Sequence, residues 1–495
     1  MKVLPILLKD GYKVGHKFQY PEGTTLVYSN LTPRKARNEN INGIIFFGLQ
    51  YFIKEYLQAQ FNENFFKEKK ELVIEKYKRR IENYLGKDAI TYQHIEALHN
   101  LGFLPIEIKA IAEGTLVPMR IPVLTIKNTR PGFFWLTNML ETLMSAILWK
   151  PVTSATTAYQ YAKVFTAYAN ETVGADHGFI PWQGHDFSFR GMSGVEDSLM
   201  SGAGHLLSFA GTDTIPAIDF LEEYYNADCE LELIGGSVAA TEHSVMCMGT
   251  QDNEIATFER LIMDIYPGGI VSIVSDTWDF WKVITEYLPL LKEKIIAREG
   301  KVVIRPDSGD PVKIIIGDSE AVAGTPEYKG AIECMWEIFG GTITEKGYKL
   351  LDAHIGLIYG DGITLERQEA ILEGLKQKGF CSYNVVLGLG SFTYEYVTRD
   401  TFGFAMKATY GEVNGEARSI YKDPKTDDGT KRSAKGLICV YRNTATGKLE
   451  YKDECTWEEE NTGELKTVFK DGKLVIDDSL ARIRQRVKEN LMYEN

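Results

Sequence analysis

From residue 44 to 86 apolar residues recur at helical spacing: Phe47, Leu49, Tyr51, Phe52 and Tyr56 lead into a Lys/Glu-rich stretch, Lys67 to Asn83, with the same period. The pattern predicts helix, with the charge run as a solvated face. Between Leu104 and Thr129 the pattern turns to short strands punctuated by Pro and Gly, and a helix is predicted from about Phe134 to Trp149. From about residue 230 to 390 short β-branched runs each close in a polar turn and most lead towards an amphipathic segment. Ile270 to Val274 runs into Ser275 and Asp276, and Val302 to Ile304 into Arg305, Pro306, Asp307, Ser308 and Gly309. Ile355 to Tyr359 runs into Gly360, Asp361 and Gly362, and Val385 to Leu387 into Gly388, Leu389, Gly390 and Ser391. Such alternation is the mark of parallel βα units, and in a βα barrel the C-terminal strand ends carry the active site. Past residue 395 hairpin patterning appears, interrupted by a basic stretch at Lys431, Arg432 and Lys435. The expected fold class is α/β: a barrel over 151–394, flanked by an α+β domain made from 1–150 and a β-rich 395–495.

Composition removes several classes. At 44% hydrophobic, 12% aromatic and 25% charged over 495 residues, the chain is neither disordered nor fibrous. A net charge of −13 argues against general binding to nucleic acid or to an anionic membrane. The longest apolar runs, such as Leu143 to Trp149, fall short of the roughly 18 residues that span a bilayer, so no membrane association is expected. The N-terminal apolar run meets Asp10 and Lys13 without a secretory cleavage site and reads as mature chain. Cys229, Cys247, Cys334, Cys381, Cys439 and Cys455 show neither CxxC pairing nor histidines at zinc spacing, which suits free thiols in a reducing cytoplasm.

No P-loop, complete GxGxxG, HExxH or GxSxG motif occurs, which sets aside P-loop kinases, Rossmann dehydrogenases, zincins and α/β-hydrolases. What remains is a set of cations (Arg190, Arg305, Arg399, Lys407, Lys422), the strand-end carboxylates Asp276, Asp307 and Asp361, and Gly-rich turns. Together they suit a phosphorylated sugar with a divalent cation. Any one such turn is better explained by the turn-forming habit of Asp and Gly; four in succession, one carrying Arg, weaken that explanation. Gly184 to Glu196 is dense in polar and aromatic residues without amphipathic period and reads as a site wall. Within it Phe187 is either ordinary core or a π-face beside Arg190.

Ordered along the chain are Asp10-Gly11-Tyr12-Lys13 with His16, Val27-Tyr28-Ser29, Arg34, Phe47-Gly48-Leu49-Gln50-Tyr51 and Leu104-Pro105-Ile106-Glu107-Ile108-Lys109-Ala110. There follow His185-Asp186-Phe187, Arg190-Gly191, Gly211-Thr212-Asp213-Thr214, Glu242-His243-Ser244 and Val274-Ser275-Asp276. Ile304-Arg305-Pro306-Asp307-Ser308-Gly309, Gly360-Asp361-Gly362, Thr398-Arg399-Asp400 and Lys422-Asp423-Pro424 complete the series. In these motifs, nearly end to end, the chain resembles the nicotinamide and nicotinate phosphoribosyltransferase family, and within it the nicotinamide enzymes.

The resemblance implies an irregular (β/α) barrel of the type II phosphoribosyltransferase kind. It implies transfer of the phosphoribosyl group of 5-phosphoribosyl 1-pyrophosphate to nicotinamide in NAD salvage, giving nicotinamide mononucleotide and pyrophosphate. By the same resemblance Arg190, His243 and Arg305 face the pyrophosphate, Asp307 and Asp361 hold the ribose hydroxyls, and Asp276 and Asp307 are candidate Mg²⁺ ligands. Phe187 and a Tyr12 from a second subunit stack on the ring, Asp213 selects amide over carboxylate, and Ser272 joins the substrate-binding set. Gly360, Gly390, Ser391 and Arg399 take the 5′-phosphate, with Arg34, Lys407 and Lys422 from the partner. The family implies a homodimer with shared sites, and ATP as a coupled substrate that phosphorylates His243. Gly388-Leu389-Gly390-Ser391 departs from the pattern, standing where the nicotinamide enzymes have a longer glycine run. The alternatives are a nicotinate-using enzyme, against which Asp213 argues, and a catalytically silent nucleotide-binding protein. Against silence stand Arg190, Asp213, His243, Arg305, Asp307 and Asp361 together, since binding alone needs no leaving-group cluster. A barrel lyase or phosphate isomerase comes third, because no Schiff-base lysine stands out at the strand ends.

Overall fold

Apolar side chains on alternate faces of strands and on one stripe of each helix are buried in two separate cores, one for each of two units of the chain. The computed structural model describes residues 3–360, 362–421 and 434–493. The first unit takes in Met1–Thr156, Phe220–Ala227 and Val397–Asn490, and the second Thr157–Asp219 and Asp228–Tyr396 with the last residues from Leu491.

The first unit is built on a seven-stranded antiparallel sheet in the order Glu416–Ser419, Phe404–Val413, Thr24–Pro33, Leu124–Asn128, Ile106–Ala110, Lys466–Lys470, Lys473–Leu474. N-terminal and C-terminal segments are thereby neighbours in one sheet, with Tyr28 opposite Tyr410. The helical stretch anticipated from residue 44 begins later. Gly43–Ile45 is a strand paired with Leu116–Pro118, and helix starts only at Leu49. Ile44, Ile45, Phe46 and Phe47 are all fully buried, and a continuous apolar run carries no period to tell strand from helix. The helix expected to end near Trp149 instead runs from Trp135 to Thr172 through Pro151. Gly48 makes room for that proline: a Cβ there would stand 2.9 Å from the Pro151 Cβ. Burial of Leu148, Val152 and Ala155 outweighs the missing backbone donor.

The second unit holds a seven-stranded parallel sheet in the order Gly211–Thr212, Gly184–Asp186, Val385–Leu389, Ile355–Tyr359, Glu299–Arg305, Gly268–Val274, Ala239–Ala240. Every pairing in it is parallel. Helices follow the long strands, among them Leu288–Ala297, Pro311–Ile316, Ala331–Phe339 and Leu365–Gln377. An isolated parallel bridge, Gly211 to Gly236, brings one edge strand against the segment leading into the other, so the sheet curls towards closure as an irregular (β/α) barrel. The four strands read from β-branched runs are present. The three short ones, Gly184–Asp186, Gly211–Thr212 and Ala239–Ala240, were not legible, being two or three small or polar residues held in strand conformation by their neighbours.

One buried acid marks the first unit. Glu113 accepts hydrogen bonds from the backbone N–H of Gln50 (2.6 Å) and Gly48 (2.8 Å) and from the Tyr225 hydroxyl (3.0 Å). Burial nonetheless dominates and pushes its carboxyl up to about 7. A carboxyl whose folded pKa lies above its unfolded value stabilises most below the unfolded pKa, and that contribution is lost as pH rises through the folded one. Stability is therefore expected to fall by about 3 kcal/mol between pH 4.5 and 7 on account of this group. Denaturant titrations across that range should show the decline in the parent chain and a flatter profile in Glu113→Gln.

Candidate active site

The C-terminal ends of the parallel strands carry the candidate residues, because parallel pairing brings those ends to one rim of the barrel. Asp186 and Phe187 close one strand, Asp213 follows the next, and Thr241 and His243 follow Ala239–Ala240. Asp276, Arg305 with Asp307, Gly360, and Gly390 with Ser391 come from the other four. Two cavities of about 520 and 930 Å³ open at this rim, the smaller running down the barrel as far as Lys301, Ile355 and Val385, and Phe187, Asp213 and Arg305 line both.

The smaller cavity has the apolar walls and few polar groups of a flat-ring site. Asp213 lines it, and its Oδ1 accepts from His185 Nε2 (2.9 Å) and the Ser237 hydroxyl (2.8 Å). Burial works against the charge, but the bond and charge of His185, the Ser237 hydroxyl and the Arg305 guanidinium together hold the carboxyl below the usual carboxylate range. The His185 ring lies 4.5 Å from that of Phe187, centroid to centroid. Phe187 is fixed further by its N–H, which donates to the Leu389 carbonyl at 3.1 Å. Asp186 turns inward, accepting from the Ser188 N–H and hydroxyl and the Thr212 hydroxyl. Ser272, buried on the strand Gly268–Val274, has a hydroxyl without a hydrogen-bond partner among the described residues and lines the same cavity.

The larger cavity carries the charges. Arg190, exposed on the turn Phe189–Gly191, lines it with Arg305, Asp307, Gly360, Gly390 and Ser391. Arg305 Nη2 donates to the Thr241 carbonyl at 2.6 Å, and its Nε stands 3.7 Å from Asp307 Oδ2. Asp276 Oδ2 accepts the backbone N–H of Asp307 at 2.8 Å, which ties adjacent strand ends together. Its Oδ1 is buried without a hydrogen-bond donor among the described residues, 3.8 Å from His243 Nε2. His243 opens the helix His243–Met248, and its Nδ1 meets the Thr277 hydroxyl at 3.3 Å. Glu242 bonds the Ser244 hydroxyl, so it is engaged elsewhere than on the imidazole. No group of three or more His, Cys, Asp or Glu fit to hold a metal occurs among the described residues.

The glycines of these turns do more than admit an anion. A Cβ on Gly360 would stand 2.5 Å from Asp307 Oδ1, and one on Gly388 would stand 2.5 Å from Phe187 Cδ2. Leu389, where the glycine run departs from the family pattern, is buried in the barrel core and supplies the carbonyl that anchors Phe187. Tyr12, Arg34, Arg399 and Lys407 belong to the first unit. Tyr12 is 67% exposed, Arg34 Nε donates to the Gly403 carbonyl, Arg399 pairs with Asp400 at 3.1 Å, and Lys407 lies opposite Asn30. Asp361 and Lys422 lie outside the described residues. Sequence reasoning gave no role to His185, Ser237, Thr241 or Thr277. His185 stood inside a quoted motif two residues from Phe187, which was the available signal; the other three gave none.

Comparison with known proteins follows the same lines. Residues 182–473 match the model of the nicotinate phosphoribosyltransferase (NAPRTase) family, and residues 5–108 that of the nicotinamide phosphoribosyltransferase N-terminal domain. A nicotinamide phosphoribosyltransferase of Acinetobacter baylyi is 54% identical, covering 99% of this chain and 98% of the relative. One from Xanthomonas campestris pv. campestris is 32% identical over 97% of both. Among solved structures, human nicotinic acid phosphoribosyltransferase shares the fold with a TM-score of 0.57 at 13% identity, covering 98% of this chain and 94% of that one. A nicotinate-nucleotide pyrophosphorylase from Pyrococcus furiosus gives 0.59 at 14% identity, with the same coverage.

Proposed function

We infer that this chain, which belongs to the nicotinate phosphoribosyltransferase family, transfers the phosphoribosyl group of 5-phosphoribosyl 1-pyrophosphate to nicotinamide, forming nicotinamide mononucleotide and pyrophosphate in NAD salvage. The observation that carries the choice of base is Asp213, held ionised at the mouth of an apolar cavity by His185 and Ser237. A carboxylate there accepts a hydrogen bond from an amide NH₂ and repels a second carboxylate. Phe187 offers the ring a face, and Ser272 a hydroxyl.

The chemistry follows from charge. As the pyrophosphate leaves, its oxygens gain negative charge and the ribose carbon gains oxocarbenium character, so cations on the leaving group act chiefly in the transition state. Arg190 and Arg305 lie on the larger cavity for that task, with His243 two strands along the sheet from Arg305, beside Asp276. Arg305 is held in place by the Thr241 carbonyl, so little reorganisation is needed as charge develops. Asp307 takes the ribose hydroxyls together with Asp361, and Gly360, Gly390 and Ser391 take the 5′-phosphate, the role of Arg399 resting on the resemblance alone. Asp276 and Asp307 supply the hard oxygens that suit Mg²⁺, and Asp276 Oδ1, buried without a hydrogen-bond donor among the described residues, is an acceptor that a cation would satisfy. When bound, Mg²⁺ would neutralise pyrophosphate oxygens as the bond breaks.

Product formation from phosphoribosyl pyrophosphate and Mg²⁺ tests the reading. Mononucleotide is expected from nicotinamide and far less from nicotinate, and Asp213→Asn should narrow the ratio of kcat/KM by roughly tenfold or more. Equal turnover of the two bases by the parent chain would overturn the assignment of Asp213.

ATP coupling is part of the proposal. His243 presents Nε2 on the side of Asp276, with Nδ1 on the Thr277 hydroxyl, an arrangement that leaves one ring nitrogen to accept a phosphoryl group. ATP should raise product yield in the parent chain, and His243→Ala should lose that stimulation; retained stimulation would remove the phosphohistidine.

The reading further includes a homodimer in which Tyr12, Arg34, Lys407 and Lys422 complete the partner's site; the wide exposure of Tyr12 suits such a role. Mixed Tyr12→Ala and Arg305→Ala chains, each nearly inactive alone, should regain activity when allowed to exchange subunits, and a mixture that stays inactive would argue for self-contained sites. No helix among the described residues is long and apolar enough to cross a membrane. None of the six cysteines is in a disulfide, which supports a cytoplasmic setting.

A further inference from the structure

The first unit contains a cavity of about 660 Å³ that the transfer reaction does not use. Its wall gathers Lys9, Lys76, Arg79 and Arg80, with Glu68 as the opposing carboxylate. In a chain with a net charge of −13 this is a local reversal of sign, four cations against one anion.

The cations are concentrated by the fold. Lys76, Arg79 and Arg80 stand three and four residues apart on the helix Lys70–Leu85, hence on one face, a spacing at which like charges destabilise a helix. Elsewhere the same surface pairs its charges: Lys78 with Glu82 at 3.6 Å and Lys67 with Glu63. Among the described residues none of the four cavity cations makes an ion pair or a side-chain hydrogen bond. Lys9 is the most telling. It is half-buried, with its Nζ 5.5 Å from the centroid of the Tyr77 ring, and burial pushes its ammonium down to about 8. A half-buried ammonium that shares a cavity wall with three exposed cations and a single carboxylate, Glu68, is an arrangement that a bound anion would relieve. The cavity is of small-ligand size, and Tyr84, 62% exposed, lines it packed on Gly11.

We propose that this pocket binds a polyphosphate group, a compact anion of three or more charges, whether inorganic or carried on a nucleoside. A monophosphate would leave most of the cations uncompensated. Arg79 and Arg80 supply forked donors for phosphate oxygens, Lys76 adds a point charge, and Lys9 caps the deep end. This site stands independently of the transfer reaction, and the failure of either reading leaves the other intact.

The test is titration calorimetry on the full chain carrying Arg190→Ala and Arg305→Ala, which weakens anion binding at the strand-end site. Sodium tripolyphosphate should bind there once per chain, more weakly as salt rises. Adding Arg79→Gln and Arg80→Gln should weaken it about tenfold or more, as should Lys9→Met tested separately. Arg79→Lys with Arg80→Lys should retain part of the affinity, and unchanged thermal midpoints would separate lost binding from lost folding. In the otherwise unaltered chain, Arg79→Gln with Arg80→Gln should leave nicotinamide turnover as it was. ATP binding more tightly than tripolyphosphate, with sensitivity to Tyr84→Ala, would assign a nucleoside polyphosphate; equal affinity would assign the inorganic anion. Absence of tripolyphosphate binding in the Arg190→Ala, Arg305→Ala chain, or binding indifferent to Arg79→Gln with Arg80→Gln, would overturn the proposal.

Discussion

Parallel strand register is the constraint from which the candidate site follows. Arg305 pairs level with Val274, Tyr359 with Leu387, Leu389 with Asp186, and Asp186 with Thr212. A parallel ladder sends every chain out of the sheet at the same face, so whatever residue follows each strand must meet its neighbours there. Slippage of one strand by a residue would turn its side chains to the opposite face and pull Asp307 away from Asp276, or Phe187 away from Gly360. The buried apolar residues of the central strands, Val271, Ile273, Val302, Ile304, Leu357, Val385 and Leu387, pack in the core and hold that register. Site geometry is thus held by hydrophobic residues of the core.

Around the rim, three ties run through the backbone. Arg305 rests on the Thr241 carbonyl, Asp276 on the Asp307 N–H, and Phe187 on the Leu389 carbonyl. Each tie joins two strand ends, so the charged groups gain fixed positions from the sheet while their remaining donors and acceptors face the cavity. Such an arrangement suits electrostatic catalysis, where dipoles and charges must already point at the place where charge will appear. Small residues are required for the same reason: at Gly360 and Gly388 the space a side chain would take is already filled by Asp307 and Phe187.

The sequence made the long strands and their chemical ends legible, because runs such as Ile270 to Val274 announce themselves by β-branching and then break into Asp, Gly or Arg. Gly184–Asp186 and Gly211–Thr212 gave no such signal, since their strand character is imposed by pairing rather than by their own residues. Pro151 disguised a 38-residue helix as a shorter one, because the packing that overrides it lies far off in sequence. His185 was visible as part of a motif but not as a partner of Asp213, 28 positions away. Read alone, the charge run of Lys70–Leu85 is a solvated face; only the approach of Lys9 gives one side of it an interior. Local pattern reports local structure, and long-range pairing is where it falls silent.

The order of strands in the first unit has a consequence for how the protein comes into being. Thr24–Pro33, an interior strand of its sheet, lies between Leu124–Asn128 and Phe404–Val413, so one of its two ladders is complete early and the other only after most of the chain has left the ribosome. The barrel strands, all between Gly184 and Leu389, emerge within that interval. During synthesis an edge rich in unpaired backbone donors and acceptors therefore waits while another body folds, and such an edge invites pairing with any strand at hand, including its counterpart on a neighbouring nascent chain. The first unit, whose sheet joins the two ends of the chain, should accordingly be the last to mature and the one most dependent on chaperones that shield exposed strands.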